Sequence, residues 1–373
     1  MTRRERMLAT LRGEAVDRPA FNFCEITGCE DIHSDDPFCI YTHPSWHPLI
    51  ALARERTDRL PLRGIPFHLE HNDVKTNISF TETGSRVTEM TRRLGSQTFR
   101  QVMQQDRDVL TVWTTEHWLK SADDLRVWLD APFLPPVPPH HWAQGSTFLD
   151  LEREIGDSGL AMLDTADPLC LVAPLFDMAT FTEVAFTEPE LFRSALDCAA
   201  ELLFPFVEAA AAEWPGRFWR IYGPEYASPP YLPPHLFREY VVPYVRTMVE
   251  MIHRHGGWVR VHSHGRLRDI LDDICATGCD AIDPIEPPHQ GDVELAYVRE
   301  KYGAQLVLFG NIEACDIENL PTPQFRDKIR RALDEGTRGA GRGFVLHPSS
   351  APYGRILSPL SLRNYEAMVE ICG

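Results

Sequence analysis

Positive charge is scarce in this chain: 37 lysines and arginines stand against 54 aspartates and glutamates, a formal charge of -17 over 373 residues. Such a surface has no basic face for a phosphate backbone, which argues against a nucleic-acid partner, and it disfavours binding to an anionic membrane surface. Long apolar runs are lacking as well. No uninterrupted apolar stretch is long enough to span a bilayer, and no cleavable hydrophobic core follows the basic opening MTRRERMLATLRGEAVDRP. The nine cysteines (24, 29, 39, 170, 198, 275, 279, 315 and 372) are an odd set without the dense framework of small secreted domains. The expectation is a cytoplasmic protein with reduced thiols. Two missing motifs narrow the chemistry. Without G-x-S-x-G there is no serine-hydrolase elbow, and without G-x-G-x-x-G after the first strand a dinucleotide-binding sheet is poorly supported.

What is present is an alternation. The opening reads as a helix, with Thr2 and Glu5 spaced as a capping box and Met7, Leu8 and Leu11 as an apolar stripe. Eight short apolar runs then follow, at about 18–24, 57–63, 159–164, 217–222, 258–263, 280–284, 305–310 and 343–347. Helical periodicity fills the intervals, most clearly over 189–213, 234–255, 266–277, 292–302, 323–335 and 359–371. Pro189, Pro234, Pro323 and Pro359 stand in first turns, where a missing N–H costs little. Strands alternating with helices predict a parallel sheet, and eight repeats predict closure into a (β/α)8 TIM barrel over an open doubly wound sheet. The chain reads as one such domain over 1–373, with an inserted β-rich segment at about 66–150. Within it, 75–114 has the pattern of short antiparallel strands, and 131–139 (APFLPPVPP) is a proline-rich connector. The excursion is expected to form a flap beside the barrel mouth.

In a parallel barrel, chemistry collects at the carboxyl ends of the strands. The fifth run ends in Val261-His262-Ser263-His264-Gly265. Residues two apart on a strand share a face, so His262 and His264 form a candidate metal pair suited to zinc. The plainer alternative is one packed and one hydrogen-bonded imidazole. The fourth run leads to Glu225, a third ligand, a general base or merely a capping carboxylate. After the sixth run, Asp283 and Glu286 compete to support the histidines from behind. Asn311, after the seventh, could hold substrate by its amide. The eighth ends in His347, a further candidate ligand, followed by Tyr353 and by Arg355, which could pair with a substrate carboxylate. Cys275 and Cys279 read as core packing, His253 and His255 as complements to a helix terminus. His33, Cys39, His43 and His47 follow the first run in no defensible metal pattern.

One set of segments resembles a known family. Thr2-Arg3-Arg4-Glu5-Arg6, Gly13-Glu14 and Asp17-Arg18-Pro19 look like the opening of the uroporphyrinogen decarboxylase superfamily. So do Leu236-Phe237-Arg238-Glu239-Tyr240 with Pro243-Tyr244, the His262-x-His264-Gly265 motif and Gly310-Asn311-Ile312-Glu313. Ser358-Pro359 and Asn364-Tyr365-Glu366-Ala367-Met368 complete the pattern, which is weakest over 66–150. The resemblance implies a (β/α)8 barrel and one of two chemistries. The first is cofactor-free decarboxylation of porphyrinogen acetate arms by an arginine-rich motif after the first strand. Phe21-Asn22-Phe23-Cys24-Glu25-Ile26-Thr27-Gly28 lacks those arginines. The second is zinc-dependent methyl transfer between a corrinoid protein and a thiol or pterin, with His-x-Cys-Gly after the fifth strand and a second cysteine after the eighth. Here His262 and Gly265 match, His264 replaces the first cysteine, and Ser350 stands at the second, three residues beyond His347. Imidazoles and carboxylates in place of thiolates would make the metal a harder Lewis acid.

Two functions follow. One is a metal-dependent methyltransferase-like enzyme that demethylates a small substrate, with a divalent metal, zinc by resemblance, on His262, His264, Glu225 and His347. Glu225, Arg355, Asn311 and Tyr353 would serve the reaction, and a corrinoid protein or a folate would carry the methyl group. The other is a decarboxylase or lyase of a small carboxylate held by Arg355 or Arg220, with the histidines as acid and base. A non-catalytic binding barrel is a third, bland reading. Family members often pair, so a homodimer is expected.

Overall fold

The eight apolar runs become strands because each is short, rich in branched and aromatic residues, and closed by a turn. The computed structural model describes residues 1–65, 67, 69, 71, 73–135 and 145–373. The strands described are β1 (Ala20–Phe21), β2 (Leu62–Gly64), β3 (Lys75–Phe80), β4 (Arg86–Leu94), β5 (Gln97–Gln105), β6 (Val112–Glu116), β7 (Met162–Ala166), β8 (Phe218–Tyr222), β9 (Trp258–His262), β10 (Ala281–Asp283), β11 (Val307–Ile312) and β12 (Phe344–Pro348). Eight form one sheet in the order β1-β12-β11-β10-β9-β8-β7-β2, and every pairing in it is parallel. From β2 onward each strand therefore pairs with its successor among the eight, and the last pairs with the first. This is a curled α/β sheet in barrel order.

The ladder does not close between β1 and β2. There the seam is held by Asp58. Its N–H donates to the Phe21 carbonyl at 2.9 Å, and its Oδ2 accepts the Phe21 N–H at 3.0 Å and Arg18 Nη1 at 2.8 Å. Oδ1 accepts Arg6 Nη1 at 2.6 Å. A fully buried carboxylate thus stands in for part of a missing ladder and ties the opening helix to it. That helix, Arg3–Arg12, carries the expected capping box. Its Met7 and Leu11 pack with Ala20, Met162, Phe218, Ala281, Val307, Phe309 and Val345 in one apolar cluster. Side chains two apart share a face, so above this floor the inward positions are Arg220, Arg260 with His262, Asp283, and His347. The interior changes from apolar to charged toward the carboxyl ends.

Helix Pro189–Glu213 has the expected bounds. The 234–255 run divides into Pro234–Tyr240 and Val242–Arg254, because Pro243 offers no N–H to continue the first helix. Over 266–277 only Leu271–Ala276 is α-helical. The Arg266 and Arg268 N–H groups are committed instead to the Pro229 carbonyl and to Asp292 Oδ1. No single described helix is long and apolar enough to cross a membrane.

The excursion is an antiparallel meander in the order β3-β4-β5-β6. It is fastened to loops that follow barrel strands. The Leu110 N–H donates to the Tyr353 carbonyl and the Arg355 N–H to the Asp108 carbonyl, both at 2.8 Å, while the Leu119 N–H reaches the Leu175 carbonyl. Arg86 and Arg107 lie over the Phe38 ring in the loop after β1. The meander therefore stands at the mouth. Positions 136–139 of the proline-rich connector lie outside the described residues.

Replacing Asp58 takes away the acceptor of Arg6 Nη1, Arg18 Nη1 and the Phe21 N–H, leaving Arg6 with Asp17 alone, and opens the seam. Asp58→Ala is expected to lower unfolding free energy by about 3 kcal/mol or more, and Asp58→Asn, which keeps an acceptor for Phe21, by less. Urea denaturation midpoints measure both.

Candidate active site

β9 and the residue pair after it set the centre of the mouth. Ser263 is buried, its N–H donating to the Asp283 carbonyl at 2.8 Å and its hydroxyl 2.9 Å from that of Ser228. Anchored so, it presents His262 and His264 on either side. Their rings meet edge to face, with centroids 4.7 Å apart. Gly265 follows with φ +101°, where a Cβ would stand 3.2 Å from the Pro229 carbonyl, so the turn favours glycine.

Each imidazole is backed by a carboxylate from the loop that ends β10. His262 Nδ1 lies 2.9 Å from Asp283 Oδ2, and His264 Nδ1 lies 2.9 Å from Glu286 Oε1. Glu286 also accepts the Gly265 N–H. The two carboxylates that competed for one role have one each. A carboxylate accepts the Nδ1 proton and leaves Nε2 as the working nitrogen of each ring. Burial opposes the charge on His264, but the Glu286 hydrogen bond together with the charges of Glu286, Glu225 and Asp283 outweighs it and raises the imidazole above its ordinary range. Burial likewise opposes ionisation of Glu286, which His264 nonetheless holds below the usual carboxyl range.

Deeper in, Asp283 Oδ1 stands 2.9 Å from Arg260 Nε, and Oδ2 stands 3.6 Å from His347 Nε2. Burial would push this carboxyl up; Arg260 first and His262 next hold it well below the usual range. His347 Nδ1 lies 2.6 Å from Asn22 Oδ1. The same oxygen accepts the Cys24 N–H, so His347 is the donor. Burial, aided by the charge of Arg260, lowers His347 to about 4, and it is neutral. On β8, Arg220 grips Asp164 twice, at 2.7 and 2.9 Å.

Two more acids border the mouth. Asp167 follows β7, caps the Cys170 N–H and is held well above its usual range by burial, with the charge of Glu225 adding to the shift. Burial, and then the charge of Glu286, raise Glu313 to about 7 although Ser349 donates to it at 3.3 Å.

The residues expected from sequence do not all converge. Glu225 turns back on its own loop, accepting the Gly223 N–H at 2.9 Å, and reaches His264 only through its charge. Arg355 gives its guanidinium to the Arg107 and Pro37 carbonyls, fastening the flap. Tyr353 is exposed beside it. Asn311 lines a separate cavity with Pro288, Lys328 and Arg331. Arg260, Asp164 and Asn22 escaped the sequence reading. The signal was available for Arg260, which shares the face of β9 with His262.

Among the described residues, no group of three or more His, Cys, Asp or Glu side chains is gathered to hold a metal. Asp283 is shared among Arg260, His262 and His347, Glu286 is taken by His264, and Glu225 by Gly223. At the mouth that leaves the Nε2 atoms of His262 and His264, while His347 is buried below beside Asp283, so the three protein ligands of a catalytic zinc are not gathered. The implied metal does not fit these residues as they are arranged.

The family model for uroporphyrinogen decarboxylase (URO-D) matches residues 165–373. The chain belongs to that family. The matched part contains β8 to β12 and so both histidines and their carboxylates. A solved methyltransferase from Methanosarcina mazei superposes over 99% of this chain and 98% of its own, with a TM-score of 0.64 at 18% identity. At that identity the likeness is one of fold. D-psicose 3-epimerase from Clostridium cellulolyticum H10, solved with D-tagatose, aligns over 60% of this chain and 82% of its own at 9% identity, with a TM-score of only 0.36. No curated protein matches the sequence.

Glu313 generates a stability prediction. Its carboxyl, ordinarily near 4.5, titrates at about 7 when folded, so the folded state holds a proton that the unfolded state has released between those values. Stability from this group is full below pH 4.5 and declines as pH rises to about 7. Glu313→Gln keeps the neutral form and is expected to flatten that decline. Denaturation midpoints of both proteins at acidic and alkaline pH measure it.

Proposed function

We propose that this chain is a methyltransferase-like enzyme that demethylates a small substrate at the mouth of the parallel sheet. The acceptor is a nucleophilic methyl carrier, a corrinoid protein or a folate. The observation that carries this reading is the His262–Asp283 and His264–Glu286 pairing, two carboxylate-backed imidazoles edge to face at the strand ends. The methyltransferase fold shared along the full length supports it.

The chemistry asks little more of the chain. When an O- or N-methyl bond breaks, both electrons remain on the heteroatom, which needs a proton to leave. His264, whose hold on a proton Glu286 strengthens, stands half-exposed at the mouth to donate it. His262 is fixed by Asp283 with Nε2 free to hydrogen-bond and orient the substrate. The methyl group passes to the electron pair of the carrier, a folate nitrogen then releasing its own proton to solvent, and His264 regains its proton from solvent.

A different observation favours a second reading, carboxy-lyase action on a small acid. Arg220, inside the sheet, lines a cavity with Glu25, Thr27 and Arg63, where an acid could be held.

Incubation with small carboxylic acids that also carry a methoxy or methylamino group, and with either carrier, followed by detection of methylated carrier and of released carbon dioxide, separates the two. Methylated carrier is expected; carbon dioxide alone would sink the first reading. His264→Ala is expected to lower turnover by roughly 10²–10⁴-fold. Activity should fall as pH rises through the raised His264 titration, because the proton donor is lost. Glu286→Gln removes the support that raises it, so the alkaline limb moves to lower pH. An unmoved limb would assign the proton to another group.

A further inference from the structure

The deepest polar layer holds two guanidiniums side by side. Arg220 and Arg260 are register partners on β8 and β9, both on the inward face. Like charges in a low-dielectric interior repel, and each guanidinium is set against one carboxylate, but the hydrogen bonding is uneven. Asp164 takes Nε and Nη2 of Arg220. Asp283 meets Arg260 at Nε, close enough for ion pairing but out of line for a hydrogen bond, so Nε and Nη1 of Arg260 have no hydrogen-bond acceptor among the described residues. Arg260 is only 2% exposed. Across His347, Asn22 is equally buried, and its Nδ2 is a third donor without an acceptor. Buried donors are ordinarily satisfied, and each left open costs about 1–3 kcal/mol. Here three open nitrogens come from two residues joined through His347 and Asp283.

We propose that this layer is a carboxylate-binding subsite, in which Arg260 and Asn22 receive an acidic group of the substrate and Arg220 adds its charge. The substrate is then a small acid, its carboxylate seated in the interior and its reacting end near His262 and His264. Arg220 also lines the cavity between β2 and the loop after β1, where Arg63 offsets Glu25 and Glu30 in part. The subsite rests on the reading of the mouth as the substrate site, but not on methyl transfer as the reaction.

Acetate is the probe, titrated into the full-length protein by calorimetry, with acetamide as the uncharged control of the same shape. Acetate is expected to saturate and acetamide to bind at least about tenfold more weakly, as loss of a charge-assisted hydrogen bond implies. Asn22→Asp keeps the Oδ1 acceptor used by His347 and Cys24 but turns the open donor into an acceptor. It should weaken acetate by a similar factor, and Arg260→Gln should do the same. Equal binding of acetate and acetamide to wild type would overturn the subsite without any variant, as would unchanged acetate affinity in a folded Asn22→Asp protein. Acetate binding without methyl transfer would defeat the reaction and leave the subsite standing. Methyl transfer with no preference for acetate would defeat only the subsite.

Discussion

Asp283 ends β10 with its carboxylate 1% exposed, and three side chains from two other strands converge on it. Arg260 and His262 approach from β9 and His347 from β12. An uncompensated charge at that depth costs several kcal/mol, so the polar interior is arranged to meet it. The arrangement decides protonation as well as position. Asp283 stays ionised because Arg260 and His262 outweigh its burial, and His262 is oriented through Nδ1. His347, neutral and hydrogen-bonded to Asn22, carries the network on to β1. A single carboxylate thus links strands that are not neighbours, and it faces the same mouth as the residues it orients.

The barrel order was legible because each strand is an apolar run and each run has its helix. Legibility stopped where side chains depend on partners distant in sequence. Glu225 and Arg355 have the right chemistry at the right strand ends, yet Glu225 caps its own turn and Arg355 ties down the flap. Nothing local distinguishes a carboxylate that faces a site from one that accepts the N–H two residues back. Arg260 was hidden for the opposite reason, since an arginine inside an apolar strand reads as an outward-facing residue. Its parity with His262 contradicts that, but parity alone does not announce the Asp283 that makes a buried arginine tolerable. The 266–277 helix fell short for a similar cause: its first backbone donors are taken by Pro229 and Asp292.

The lower half of the sheet is built on different terms. Met7, Leu11 and the inward residues of the strands make an apolar floor, with Asp58 bridging the unladdered seam. Burial stabilises this half without asking for precise partners. The division suits an enzyme: the floor tolerates apolar exchange, while the upper layer is constrained by charge. It also accounts for a likeness that extends over 99% of the chain at 18% identity, since pattern and topology can persist when most residues do not.

His264 brings these constraints to one residue. The family resemblance places a cysteine there, and a thiolate bound to metal needs no second proton acceptor behind it. An imidazole has two nitrogens, and burying one without a partner is costly. Glu286 meets that need, and in doing so raises the affinity of His264 for a proton. The same carboxylate that partners Nδ1 therefore leaves this imidazole more readily protonated than a free one. His262, common to both patterns, keeps its carboxylate in Asp283. The departure from the family motif at His264 is thus accompanied by a carboxylate, Glu286, placed to accept the Nδ1 proton that a cysteine would not carry.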